Sequence, residues 1–216
     1  MTEKAFITLV EEKELILDRL ETEPYGTNAY ILCYRESEEC LLIDAPGGVD
    51  AIKARLAGTK VAGLLITHGH PDHLFALEEL YQALQTSLAV HRDDAPLLPL
   101  KPDRLLEQGD IIECGRLRVE VIHTPGHTEG GVCLKIGDLL IAGDTIFPGG
   151  PGKTSSADNF RTLLASIREK ILTLPDQTKI FPGHGTPTTV GTERQLIEAF
   201  LARGYDSNLY GDVTWS

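Results

Sequence analysis

Residues 64–74 read LLITHGHPDHL, which sets His68, His70, His73 and Asp72 within six positions directly behind an aliphatic run. Imidazole and carboxylate together suit a divalent borderline metal, zinc above all. His68 and His70 stand two residues apart, so an extended backbone points both to the same side. Asp72 and His73 fall at the entry of a helical pattern and can aim elsewhere, with Gly69 and Pro71 shaping the turn between. One short segment can therefore feed two metal positions. A carboxylate that bridges them is then required, and Asp144 is the candidate.

The same arrangement recurs along the chain. CLLID ends in Asp44, GLLITHGH in His68 and His70, VEVIHTPGH in His127, DLLIAGD in Asp144 and KIFPGH in His184. Each time a short buried run gives way to a turn that carries an aspartate or a histidine. Loops at the end of a rigid sheet are where chemistry is presented, and these loops can converge on one edge. A lone buried histidine is more often a hydrogen-bonded core residue. Four histidines and two aspartates, all in strand-end turns, are read as metal-binding.

The elements that must position these loops are legible from periodicity. AFITLV, ELILDRL, TNAYILCY and CLLID form an antiparallel β pattern, the last two joined by the polar RESEE. A short helix over Val49 to Leu56 and a buried strand over Val61 to Ile66 follow. From Pro71 the period changes: Leu74, Leu77, Leu80, Tyr81 and Leu84 predict a helix just behind the histidine cluster. Strands return at SLAVH, DIIEC, LRVEVIH, VCLKI, DLLIAG and KIF. A helix over Ala157 to Ile171 has an apolar face of Phe160, Leu163, Leu164, Ile167 and Ile171. A last helix is expected from a Thr192/Gln195 capping box to a stop at Gly204. The tail YDSNLYGDVTWS lacks periodicity; its aromatics either pack on the body or fray. With no linker or charge block to divide it, the chain reads as one α/β domain over residues 1–216, its sheets covered by helices.

Composition narrows the function classes. With 216 residues, 42% hydrophobic and 24% charged, the chain can bury a sizeable core. A net charge of -12 without a Lys/Arg cluster argues against nucleic-acid partners. No basic start with an apolar core is seen, and no apolar run approaches the roughly 18 residues of a membrane span. A cytoplasmic protein without membrane contact is expected. Cys33, Cys40, Cys114 and Cys133 form no C-x-x-C pair and read as inert small hydrophobes of a reducing compartment.

THGHPDH matches the H-x-H-x-D-H signature of the metallo-β-lactamase fold superfamily, and PGHT (125–128), AGDT (142–145) and PGHG (182–185) follow in that family's order. The resemblance runs from about Tyr25 to Arg194. It implies a four-layer αβ/βα sandwich with a two-metal site at one edge. His68, His70 and His127 would bind the first metal, Asp72, His73 and His184 the second, and Asp144 would bridge both. Asp44 would support the site from behind. His91 and His123 are left over and read as packing residues, with His123, at a strand end, open to a supporting role. Two divalent ions, most simply zinc, with iron or manganese as alternatives, would lower the pKa of a shared water towards about 7. Asp72 would accept the proton once that water has attacked.

Within the superfamily the chain resembles the compact glyoxalase II-like hydrolases, which cleave hydroxyacyl thioesters; a small acyl thioester is the expected partner. Glyoxalase II proper carries an additional C-terminal helical region, whereas residues 185–216 alone follow His184 here. Where related enzymes show G-R-T-D, this chain has Gly152-Lys153-Thr154-Ser155. Lys153 is the candidate for pairing with an anionic substrate. The GKT also invites a phosphate-loop reading, which fails because the required first glycine is Phe147. The main rival is a mononuclear-iron oxidoreductase like the persulfide dioxygenases, which resemble PAHDY where this chain has PGHG. Other ester or lactone hydrolysis is a second alternative. Flavodiiron, nucleic-acid-processing and β-lactam-cleaving relatives, and a non-catalytic scaffold, fit the residues less well.

Overall fold

The computed structural model of the protein describes residues 5–215. Alternation along each strand decides the layering, because successive side chains of a strand face opposite sides. The first sheet is built in chain order from β1 (Ile7–Glu11), β2 (Leu15–Thr22), β3 (Thr27–Tyr34), β4 (Glu39–Ile43), β5 (Lys60–Ile66), β6 (Leu88–His91) and β7 (Arg104–Leu106). Pairing is antiparallel through β4 and parallel from β4 to β7. Parallel neighbours need crossovers, and α1 (Val49–Leu56) and α2 (Leu77–Leu84) supply two of them. The second sheet follows with β8 (Ile111–Cys114), β9 (Leu117–His123), β10 (Val132–Ile136) and β11 (Leu139–Gly143). After a small hairpin of β12 (Ile146–Phe147) and β13 (Gly150–Pro151) and the helix α3 (Ala157–Ser166), β14 (Lys179–Pro182) joins β11 in parallel, and β15 (Thr188–Thr189) closes that edge. The chain then forms α4 (Val190–Arg203).

Three apolar layers result. Tyr30, Leu32 and Tyr34 of β3 face Val119, Val121, Val132 and Leu134 of the second sheet. The alternate residues Ala29, Ile31 and Cys33 face Ile52 and Leu56 of α1 and Leu77 and Leu80 of α2. On the far side Cys133, Leu140, Ala142 and Ile180 lie under Phe160, Leu163, Ile197 and Phe200 of α3 and α4. The order is helices, sheet, sheet, helices, the αβ/βα sandwich that the resemblance implied. Truncating one fully buried leucine such as Leu32 would cost about 2–5 kcal/mol.

Three expectations are revised and one open alternative is decided. The helix behind the histidine cluster starts at Leu77: Pro71–His73 form a single 3-10 turn, and the regular helix begins only after it. The last helix starts one turn before the expected box, with Thr189 as its cap accepting from the amide of Thr192, and it ends at Gly204 as read. The tail packs, with Trp215 buried against Phe200 and its amide donating to the Gly149 carbonyl at 2.8 Å. Cys33 and Cys40, read as inert thiols, are joined by a disulfide, because the β3–β4 register sets them directly opposite each other. Cys114 and Cys133 stay free and buried, and burial pushes both thiols up to about 11.

Candidate metal centre

The carboxyl ends of β4, β5, β11 and β14, and the turn after β9, meet at one edge of the sandwich, the place where open α/β sheets present ligands. Three overlapping groups of donors lie there, His68 with His70 and His127, His68 with His73 and Asp144, and Asp72 with His73 and His184. Asp144 is central: its carboxylate is 3.4 Å from Nε2 of His73, 3.4 Å from Nε2 of His127, 3.5 Å from Nε2 of His184 and 4.0 Å from Nε2 of His68. All seven residues read from the sequence as ligands are thus brought together.

What turns these rings towards one another is the bond each makes on its other nitrogen. Asp44, held at a positive φ of 61°, accepts from the amide and hydroxyl of Thr67, both at 2.8 Å, and from Nδ1 of His73 at 2.8 Å. The Thr67 hydroxyl has only one proton and gives it to Asp44, so it accepts from Nδ1 of His68 at 3.1 Å. Nδ1 of His127 donates to the carbonyl of Lys153 at 2.7 Å, and Nδ1 of His184 to the carbonyl of Tyr25 at 3.2 Å. Nε2 of His68, His73 and His127 is left without a hydrogen-bond partner and aimed inward, while Nε2 of His184 meets Oδ2 of Asp72 at 3.1 Å.

The residues fit a bound cation. Nε2 of His68, His73 and His127 and Oδ1 of Asp144 are buried without a hydrogen-bond partner, which is costly unless another ligand satisfies them. Burial alone would lift the Asp144 carboxyl, but its contacts with His184 and His73 hold it well below the usual range. Burial would lower His73 and His184, yet Asp44 and Asp144 hold the first at about 10, and Asp144 and Asp72 hold the second at about 10. Protons and cations therefore compete for the same nitrogens. His68, with little carboxylate contact, is driven down by burial and by the neighbouring His73.

Glycine sets the close approaches. A Cβ on Gly183 would stand 2.1 Å from Oδ1 of Asp144, and one on Gly152 would stand 1.8 Å from the Asp144 carbonyl oxygen. The two sheets are also clamped: the Asn28 side chain donates to the carbonyls of Pro182 and Gly185, and the Tyr30 hydroxyl to that of Pro182 at 2.6 Å. Asp94, fully buried, accepts from the amide of Gly69 at 2.8 Å and of Gly130 at 2.7 Å, fixing the turns that carry His70 and His127. Sequence reading did not single out Asn28, Tyr30, Thr67 or Asp94. Asp94 had the signal used for the others, since it follows the strand-like SLAVH.

Lys153 serves the centre through its backbone. Its ammonium is 3.7 Å from the carboxylate of Asp212, both side chains being exposed, while its carbonyl orients His127. The loop is tied down by a backbone pair between Thr154 and Gly211 and by Glu193, which accepts from the Gly149 amide.

Residues 22–184 match the Metallo-beta-lactamase superfamily. The probable metallo-hydrolase YqgX of Bacillus subtilis is 35% identical over 82% of this chain and 93% of its own length. Hydroxyacylglutathione hydrolase GloC of Haemophilus influenzae is 29% identical over 76% and 88%. Among solved structures, ETHE1 from Myxococcus xanthus superposes with a TM-score of 0.74 at 26% identity over 83% of this chain and 82% of its own. The di-iron-bound form of TTHA1623 does so with 0.70 at 30% over 82% and 96%. With the family match spanning most of the chain, the protein belongs to the metallo-β-lactamase superfamily.

Proposed function

We propose that the protein is a metal-dependent hydrolase that cleaves a small hydroxyacyl thioester, working as a single domain with two divalent cations, zinc first, held by His68, His70 and His127 and by Asp72, His73 and His184, with Asp144 between. The observation that carries this reading is the set of four Nε2 atoms converging on Asp144, three of them buried without a hydrogen-bond partner. Such cations, when bound, supply Lewis acidity and a water of lowered pKa. The protein's own residues do the rest. Asp72 is the proton acceptor: its Oδ2 is held by the Thr27 hydroxyl at 3.1 Å and by Nε2 of His184 at 3.1 Å. Burial opposes its ionisation, but His184, His73 and Thr27 outweigh that and keep it ionised at neutral pH. It lies on the open side, with His184, whereas His68 and His73 are closed off from solvent.

The rim there is apolar. Tyr25 and Phe75 stack at 5.9 Å and are 63% and 58% exposed, and Leu97 is 55% exposed above Gly69. This wall suits the carbon chain of a thioester better than a polyanion, and the name of the GloC relative points the same way. A thioester carbonyl is weakly resonance-stabilised and needs no serine or cysteine nucleophile. The alternative, a single-iron oxidoreductase, needs two histidines and one carboxylate and leaves the remaining donors without a task.

One experiment separates them: protein loaded with zinc or with iron is given S-lactoylglutathione and glutathione persulfide in turn. Thiol release by the zinc form without oxygen uptake is the expected result. Oxygen uptake by the iron form alone, with no thiol release by either, would overturn it. No helix among the described residues is long and apolar enough to cross a membrane. The proposed setting is cytoplasmic, and the Cys33–Cys40 pair tests it, since disulfides are rare there. Thiol trapping in intact cells decides it: a pair found reduced there supports the cytoplasmic setting, and one found oxidised, as in this structure, would place the protein elsewhere.

A further inference from the structure

One other group of metal-type side chains lies close together among the described residues: His91, Asp93 and His123, with a donor atom of each within 4.8 Å of the others. His91 ends β6 in the first sheet and His123 ends β9 in the second, so the pair spans the sandwich. Their rings stack at 3.9 Å with 14° between planes. The two rings are held differently, and only on His123 is Nδ1 left bare. Nε2 of His123 donates to the Glu129 carbonyl at 2.9 Å, and Nδ1 of His91 accepts only a long bond from the Asp93 amide, 3.3 Å. The Asp93 carboxylate is 3.5 Å from that same Nδ1 of His91. Burial and the neighbouring His123 lower the proton affinity of His91, so its ring is neutral and free to donate at neutral pH.

We propose that His91, Asp93 and His123 form a second, separate site for one divalent first-row cation, zinc by donor type, that staples the two sheets behind the metal centre. Two imidazoles and a carboxylate are a donor set such an ion takes. Rings stacked this way have nearly parallel in-plane lone pairs, so taking up the ion would require the partly exposed His123 ring to turn out of the stack. The site is coupled to the centre through the next residue, Asp94, whose two oxygens hold the amides of Gly69 and Gly130. His123 itself begins the HTPGH segment that ends in His127. An ion at this site would steady both ligand-bearing turns without touching substrate.

The test compares the full-length protein with His123→Gln and Asp93→Asn after saturation with zinc alone and removal of excess. Each variant should retain one zinc per chain fewer than the parent, a difference that holds whether the metal centre itself takes one ion or two. In the parent, long-range 1H–15N spectra should show the Nδ1 resonances of His91 and His123 shifting as zinc is added beyond what the centre takes up. Equal zinc content in parent and both variants overturns the proposal. So do unshifted Nδ1 resonances at saturating zinc, a measurement that needs no variant to fold.

Discussion

Four of the seven candidate donors come from a single turn of the first sheet, whereas His127, Asp144 and His184 come from three separate strand ends of the second. The two halves are held by different means. In the first, side chains do the holding: Asp44 and Thr67 fix His68 and His73. In the second, the main chain does it, through the carbonyls of Lys153 and Tyr25 and through glycines that let backbones close in. The first half should therefore be sensitive to which side chain stands behind it, and the second to any atom that moves its backbone.

Asp144 belongs to both halves, so its loss should show no asymmetry. Asp144→Ala should empty both positions and cut turnover of S-lactoylglutathione by about 10³-fold or more, the scale of several kcal/mol that a cation contributes. Metal analysis and initial rates check this, and retention of a full metal complement would contradict the central place given to Asp144.

Gly183→Ala probes the second half. The new methyl would press on Oδ1 of Asp144, and overpacking of this kind costs about 1–3 kcal/mol. A larger loss of activity than of stability is expected, because the displaced atom belongs to a proposed ligand; melting curves and rates measured together decide it. In the first half, Asp44→Asn should weaken metal affinity about 10–100-fold while the protein stays folded. Chelator competition measures this, and an unchanged affinity would remove the proposed dependence on side-chain support.

Proton release sharpens the comparison across both halves. His73 and His184 are held at about 10, so at pH 8 the cation-free protein carries protons that loading must displace. Calorimetry in buffers of different ionisation enthalpy should find about two protons released at pH 8 and fewer as pH passes 10. In the cation-free protein these raised values stabilise the fold fully below the ordinary histidine pKa of about 6.5, and that contribution is lost as pH climbs through about 10. The smallest effect is reserved for Lys153→Ala, which keeps the carbonyl that orients His127. It should change stability by less than about 0.5 kcal/mol and leave KM nearly unaltered; a marked rise in KM would return its ammonium to substrate binding.

Much of this was readable beforehand where one local pattern carried the signal. Val49–Leu56 is helical as expected, and every strand read from the sequence is present. The short pairs β7, β12, β13 and β15 were not foreseen, because two or three residues hold no periodicity. The Cys33–Cys40 bond was missed for a related reason: spacing alone does not state the register of a hairpin, and register put the two opposite each other.

Which residue types could hold a metal was a property of the sequence, since donor chemistry is carried by each side chain wherever it sits. His68, His70, Asp72 and His73 were also bound to be near one another, because a turn of a few residues leaves them nowhere else to go. Only the tertiary structure could decide which nitrogen of each ring faces inward. That choice rests on bonds such as the one from His184 to the carbonyl of Tyr25, 159 residues away in the chain. A backbone carbonyl is the same in every residue and leaves no mark in the sequence, so its role appears only when packing of the two sheets brings it within reach.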